Sequence, residues 1–466
     1  MVTDRVSSGS ERLDAVLDGG LVANSINIVM GLPGSGKTIL AQQYLFENAS
    51  EDRPAVYLST VSEPLEKILR YGQTLSFFDA SAIGGSVIYE DLGESLSHQD
   101  ALTVTLGRVV AILRERRPGV LVIDSFKALR PFAADATMFR RFLHDLAGTL
   151  TAYPATSLWV GEYGPDEIEV APEFAVADGI ISLAVEPTAD RDTRVLQVQK
   201  LRGSGFLSGK HAYRLSADGI HVFPRLADPA DQARYTLETE RVSSGIPVLD
   251  DALDSGLWPG GSTLVAGPSG SGKTLIGLHY IFKGAEIGRP GLIAGLQENP
   301  TQLERIANGF GWSLGRDDVH VMYRSPVDMY VDEWVYELLE QVEEHGIRRI
   351  LIDSLGDLRA TSTDEIRFRE YVYSLLQRTA HAGIGVFMTQ EVAELFGVTR
   401  LSEYGISHLS DNVVLLQFLR GESQIKRALT VLKTRASAHD PHILEFEITP
   451  DGIELGKRFA DDQSLA

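Results

Sequence analysis

The sequence contains no cysteine, which excludes disulfides, thiol nucleophiles and cysteine-ligated zinc. It has no apolar run approaching the roughly 18 residues that read as a membrane span. Its opening, MVTDRVSSGSERLD, lacks a basic segment leading into an apolar one. A cytoplasmic location and no membrane partner are therefore expected. Positive charge is also scarce, with 43 Lys and Arg against 64 Asp and Glu and a net charge of −21. Such a balance opposes non-specific attraction to nucleic acid or anionic lipid. The 11 histidines form no H-x-x-x-H pattern, and Trp159, Trp258, Trp312 and Trp334 are not interleaved with basic residues. Neither a transition-metal site nor a stacking platform for single-stranded nucleic acid is expected.

What is present is ordinary globular composition, 44% hydrophobic and 23% charged over 466 residues, a length that implies two or three domains. The sequence is one unit written twice. RVSSGSERLDAVLDGGL starts at Arg5 and RVSSGIPVLDDALDSGL at Arg241, 236 residues apart; GLPGSGKT starts at Gly31 and GPSGSGKT at Gly267, again 236 apart. The echo continues in VLVIDS (Val120 to Ser125) against ILIDS (Ile350 to Ser354), and in VQKLRGS (Val198 to Ser204) against VLKTRAS (Val431 to Ser437). Unlike motifs at one spacing indicate tandem duplication. The polar stretch Leu226 to Glu240 carries Pro229 and no apolar periodicity, so the expected organisation is a domain over 1–228, a linker over 229–240 and a second domain over 241–466.

Within each half, short apolar runs such as INIVMG, AVYLST and VLVIDS alternate with helical patterns. In DATMFRRFLHDLAGTL, Phe139, Phe142, Leu143, Leu146 and Leu150 share one face. The pattern predicts an α/β fold in each half, a mostly parallel doubly wound sheet, with antiparallel strands added at its edge by the late β-rich runs.

Gly-x-x-x-x-Gly-Lys-Thr between a strand and a helix is a polyphosphate cradle. Glycines allow the tight backbone fold that turns N–H groups toward phosphate, and the helix N-terminus adds its dipole. The predicted nucleotide-binding residues are Gly31, Gly34, Ser35, Gly36, Lys37 and Thr38, then Gly267, Gly270, Ser271, Gly272, Lys273 and Thr274. The lysines reach the β- and γ-phosphates, and the threonine hydroxyls ligate Mg²⁺. Asp124 and Asp353 end apolar strands at similar distances from the two cradles and are the expected acidic partners of the metal. The predicted ligands are ATP and Mg²⁺.

Together, the two cradles, the RVSSG leaders, VIDS and LIDS, and KLRGS with KTRAS resemble the KaiC family of tandem RecA-like ATPases, from Arg5 to about Gly456. The resemblance implies ATP bound between neighbouring subunits of a hexameric ring, protein partners that read a slow ATPase cycle, and a signalling or clock-like role. It also implies that Lys200 and Arg202, and Lys433 and Arg435, approach the γ-phosphate from the adjacent subunit. Added positive charge stabilises a dissociative phosphoryl transition state, and a finger supplied in trans contributes about 10³ to 10⁵ in rate. Alternatively, these cations are solvated edge-strand charges. A RecA- or RadA-type DNA-handling ATPase is the rival reading, opposed by the −21 charge.

The family places paired glutamates after the second strand, where one deprotonates the attacking water. Gln297 and Glu298 match in the second half, and Glu298 is the expected general base. In the first half the matched positions are assigned to Leu58 and Ser59. Glu63, a few residues on, is read instead as favouring a helix N-terminus. The first half is therefore expected to bind ATP and hydrolyse it slowly. The family's Ser-Thr acceptor pair becomes Ser407 and His408, so serine autokinase activity is a minor expectation. Glu162 and Glu391, at matched strand ends, either relay the γ-phosphate state or only terminate strands.

Overall fold

In the computed structural model the described residues are 4–60, 64–188, 191–226, 240–362, 364–393, 406–420, 424–435, 437–450 and 452–458. The chain divides into two compact units, Met1–Arg225 and Leu226–Ala466. Residues 227–239, most of the stretch read as a linker, lie outside the described set.

The first unit opens with a short antiparallel pair, β1 (Arg5–Val6) and β2 (Leu21–Val22). Its sheet contains β3 (Ile26–Met30), β4 (Ala55–Ser59), β5 (Val87–Asp91), β6 (Val120–Asp124), β7 (Thr156–Gly161), β8 (Gly179–Thr188), β9 (Arg191–Leu201), β10 (His211–Ser216) and β11 (Gly219–Phe223). Their spatial order is β11-β10-β9-β8-β3-β7-β6-β4-β5. The six strands from β8 to β5 in that order are parallel, and β9, β10 and β11 extend the sheet antiparallel.

The second unit repeats the plan with β12 (Ser262–Gly267), β13 (Gly291–Gly295), β14 (Val319–Tyr323), β15 (Arg349–Asp353), β16 (Gly385–Glu391), β17 (Asn412–Arg420), β18 (Ile425–Thr434), β19 (Leu444–Thr449) and β20 (Gly452–Arg458). Its order is β14-β13-β15-β16-β12-β17-β18-β19-β20. Each unit is thus the expected α/β RecA-like fold.

The apolar runs are continuous because both sheet faces are covered. Successive residues of β3 serve different cores: Ile28 packs with Ile123, Phe126 and Trp159, whereas Val29 packs with Leu40, Tyr44 and Val122. The helix Ala136–Ala152 buries the five residues its periodicity singles out, and Asp135 caps it by accepting from the Met138 N–H at 2.8 Å. Trp159 and Trp334 are fully buried.

The repeated leader has a local cause. In the first unit Asp14 accepts from the Ser7 hydroxyl at 2.7 Å and the Ser8 N–H at 2.8 Å; Asp250 holds Ser243 and Ser244 in the same way.

Candidate nucleotide sites

Each cradle connects a central strand to the helix that runs beneath the sheet, β3 to Lys37–Glu47 and β12 to Lys273–Glu286. These sites lie at the carboxyl ends of parallel strands, where open α/β sheets bind ligands. Gly36 and Gly272 precede the helices at φ 91° and 106°, left-handed conformations that favour glycine. At Gly31 a Cβ would stand 2.1 Å from the Leu183 carbonyl oxygen, so no larger residue fits between the cradle and β8.

The lysine, threonine and aspartate predicted for each site converge. Thr38 donates to Asp124 Oδ2 at 2.8 Å, and Thr274 to Asp353 Oδ2 at 2.7 Å. Lys37 and Lys273 donate to carbonyls of their own loops, Leu32 at 3.0 Å and Pro268 at 2.9 Å. Burial lowers the proton affinity of both lysines. Glu162 and then Asp124 oppose this at Lys37; Glu391, Asp353 and Glu298 do so at Lys273. In the first unit these groups open onto a cavity of about 750 Å³, lined also by Lys127, Glu162, Ile68 and Leu215.

The residues fit Mg²⁺ and a polyphosphate. The Ser35 and Ser271 hydroxyls are buried inside the cradles without a hydrogen-bond partner among the described residues. Each site offers a hydroxyl and a carboxylate, hard oxygen ligands, but no closed cage. Such a set suits a Mg²⁺ that keeps water and shares substrate phosphates. Among the described residues no group of three or more His, Asp or Glu side chains forms a separate metal site.

The two aspartates are steadied differently. Tyr57 donates to Asp124 Oδ2 at 2.7 Å, whereas Thr389 donates to Asp353 Oδ1. Three further residues escaped sequence reasoning. Tyr213 donates to the Ser35 carbonyl at 2.6 Å and Arg194 to that of Gly34 at 2.6 Å, bracing the first cradle from the edge strands. Lys127 donates to the Glu162 carbonyl at 2.6 Å and pairs with Glu167 at 2.8 Å.

Register corrects one assignment. Ser59 pairs with Asp124 and Gly295 with Asp353; one residue on, the Thr60 and Leu296 N–H groups donate to those aspartates' carbonyls, both at 2.9 Å. Counting from there, Val61 and Ser62, not Leu58 and Ser59, correspond to Gln297 and Glu298. The strand runs on through Leu58 and Ser59, later than that assignment places its end. Val61, Ser62 and Glu63 lie outside the described residues, yet the count leaves serine where the second unit has Glu298. Glu298 is half-buried. Burial and the Asp353 and Asp357 charges raise its carboxyl above the usual range, while Lys273 pulls it down.

The K-x-R cations are not brought to their own cradles. Lys200 reaches the Phe174 carbonyl at 3.5 Å and Arg202 pairs with Asp178 at 3.5 Å; neither lines the 750 Å³ cavity. Lys433 donates to the Ser407 and Ser410 carbonyls at 3.0 and 2.6 Å, and Arg435 to that of His408 at 2.6 Å.

Among the described residues no helix is long and apolar enough to cross a membrane. A family model described as "ATPase: KaiC" matches residues 6–227 and 242–459. The chain is 26% identical over 473 residues to circadian clock oscillator protein KaiC 1 of Synechocystis sp., covering 98% of this chain and 89% of the relative. It is 26% identical over 474 residues to circadian clock protein KaiC3 of the same organism, covering 98% and 92%, and 26% identical over 475 residues to circadian clock oscillator protein KaiC of Acaryochloris marina, covering 98% and 89%. Relatives with these names do not favour the DNA-handling alternative. With two family domains matched across two repeated cradles, the chain belongs to the KaiC ATPase family.

Proposed function

We propose that the protein is a cytoplasmic, ring-forming ATPase, a hexamer with ATP between subunits. Its second unit turns over ATP and its first chiefly holds ATP to maintain assembly. The observation that carries this reading is the difference after β4 and β13: a half-buried glutamate of raised proton affinity beside Lys273 and Asp353 in one unit, and a serine at the same count in the other. A carboxyl raised toward neutrality is the better proton acceptor. Phosphate contacts dominate nucleotide affinity, and both cradles carry the residues to make them.

Lys200 and Arg202, and Lys433 and Arg435, act as fingers on a neighbour's γ-phosphate. Lys200, Lys433 and Arg435 rest on backbone carbonyls and Arg202 on the Asp178 carboxylate, away from their own cradles, which supports supply in trans. Thr38 with Asp124, and Thr274 with Asp353, would hold Mg²⁺, which would supply positive charge against the phosphates. The role in the cell is clock-like signalling, through protein partners that read the assembled state.

Serine autophosphorylation at Ser407 is a lesser part of the proposal. Ser407 is half-buried in the turn whose carbonyls hold Lys433. Phosphopeptide mapping after incubation with Mg·ATP checks it, and absence of phosphate at Ser407 removes it.

The test of the main reading is mass by light scattering with and without Mg·ATP, with phosphate release measured on the same sample. Assembly on nucleotide addition and loss of most release in Glu298→Gln are expected. A chain that stays monomeric, or a Glu298→Gln variant at full rate, contradicts it.

A further inference from the structure

We propose that Glu162 is the carboxylate that orients the attacking water in the first unit, and that Lys127 positions it. The inference rests on reading the cradles as ATP sites. It gives the first unit a slow hydrolytic route despite the serine at the count of Glu298.

Glu162 follows β7, whose last residue, Gly161, pairs with Met30 immediately before the cradle. It therefore enters the same cavity as Lys37, Thr38 and Asp124. Among the described residues, the acids lining that cavity are Asp124 and Glu162. Asp124 is engaged, its Oδ2 accepting from both Thr38 and Tyr57. Glu162 is exposed, and its carboxylate accepts no hydrogen bond among the described residues. It is also the foremost charge favouring the protonated form of Lys37. A carboxylate with free lone pairs therefore faces the ammonium that reaches the terminal phosphates.

Lys127 fixes the backbone from which that carboxylate projects. Its ammonium holds the Glu162 carbonyl and the Glu167 carboxylate and lies 5.1 Å from the centre of the Tyr163 ring. Glu167 in turn accepts from the Gly164 N–H at 2.9 Å, closing the turn on itself. Among the described residues this lysine strut belongs to the first unit; in the second, the Glu391 carbonyl accepts from Gln390 Nε2 at 3.1 Å instead. Counting three residues from Asp353, as Lys127 stands from Asp124, gives Gly356, which has no side chain to supply it. The second unit also has a glutamate at the matched strand end, Glu391, but has Glu298 for the proton.

In the reaction, the water oxygen forms a bond to the γ-phosphorus as the bond to the β,γ-bridging oxygen breaks. The bridging oxygen leaves on ADP with the electron pair. The water proton passes to the Glu162 carboxylate and then to solvent, restoring the carboxylate. Lys127 moves no proton and acts only through the placement of Glu162.

The experiment uses the full chain with Glu298→Gln to silence the second unit. It measures phosphate release, equilibrium binding of the fluorescent analogue mant-ADP with Mg²⁺, and the ATP-to-ADP ratio recovered from the protein after acid quench. Glu298→Gln is expected to retain slow release. Adding Glu162→Gln lowers that release about tenfold or more, within the range for a lost proton acceptor, and shifts the recovered nucleotide toward ATP without weakening mant-ADP binding. In the same background Lys127→Met lowers kcat with KM little changed, and Lys127→Arg restores part of the rate. Release unchanged by Glu162→Gln, or absent already in Glu298→Gln, overturns the proposal. A chain that binds no mant-ADP instead overturns the ATP-site reading beneath it.

Discussion

At the scale of single residues, both units secure the same carboxylate with different neighbours. Asp353 has a threonine on each oxygen, Thr274 and the fully buried Thr389; Asp124 has Thr38 and Tyr57 on one. A hydrogen bond to a charged acceptor contributes about 1.5–3 kcal/mol, and a buried acceptor left without its donor keeps the desolvation cost. Thr389→Val is nearly isosteric, so it isolates the hydroxyl. It should destabilise the second unit by about 2 kcal/mol, read as a shift in the urea midpoint by tryptophan emission; an unchanged midpoint would show that Thr389 does not secure Asp353.

The cradle glycines, lysines, threonines and aspartates were legible in the sequence because backbone geometry and phosphate chemistry tie them to short, fixed spacings. Tyr57, Thr389, Arg194 and Lys127 were not. Each reaches the site through strand register or a loop set far along the chain, and no local pattern encodes that. The misplaced Leu58 and Ser59 have the same origin: apolarity marks a strand's burial but not the residue at which pairing stops.

At the scale of elements, the phosphate-binding helix and the terminal hairpin are locked together in both units by different side chains at one position. In the first, Gln43 Oε1 accepts from the Ile220 N–H at 3.0 Å; in the second, His279 Nε2 accepts from the Ile453 N–H at 3.1 Å. Accepting requires a neutral imidazole, and burial pushes the His279 pKa down from 6.5 to about 4. The folded state thus disfavours the proton that the unfolded chain accepts near 6.5. This contribution to stability is fully present above pH 6.5 and lost as pH falls toward 4. The upper figure for a shift of this size is about 3 kcal/mol. His279→Gln should keep the lock and flatten the second unit's stability between pH 6.5 and 4, measured by urea unfolding across that range. An equally steep loss in the variant would place its cause elsewhere. The alternation of strands and helices made the fold class readable, whereas this lock joins residues more than 170 positions apart and shows no periodicity.

At the scale of the whole molecule, duplication has preserved the cradles and let the catalytic surroundings diverge. Copies carrying a net charge of −21 repel one another, so assembly needs a favourable term that exists only when subunits meet. In the proposed function, nucleotide completed by a neighbour supplies one. A ligand at about 100 times its Kd contributes about 2.7 kcal/mol per site to the state that binds it. A site that empties itself rapidly holds its triphosphate contacts for only part of the cycle; a slow site holds them for most of it. The proposed function therefore makes the first unit the better platform and the second the better engine, and the P-loop lysines separate the roles. Lys37→Ala should abolish the mass increase on adding Mg·ATP, measured by light scattering. Lys273→Ala should assemble and lose most phosphate release. Assembly that survives Lys37→Ala but fails in Lys273→Ala would reverse the assignment, because the nucleotide bridging the subunits would then sit where the fast chemistry occurs.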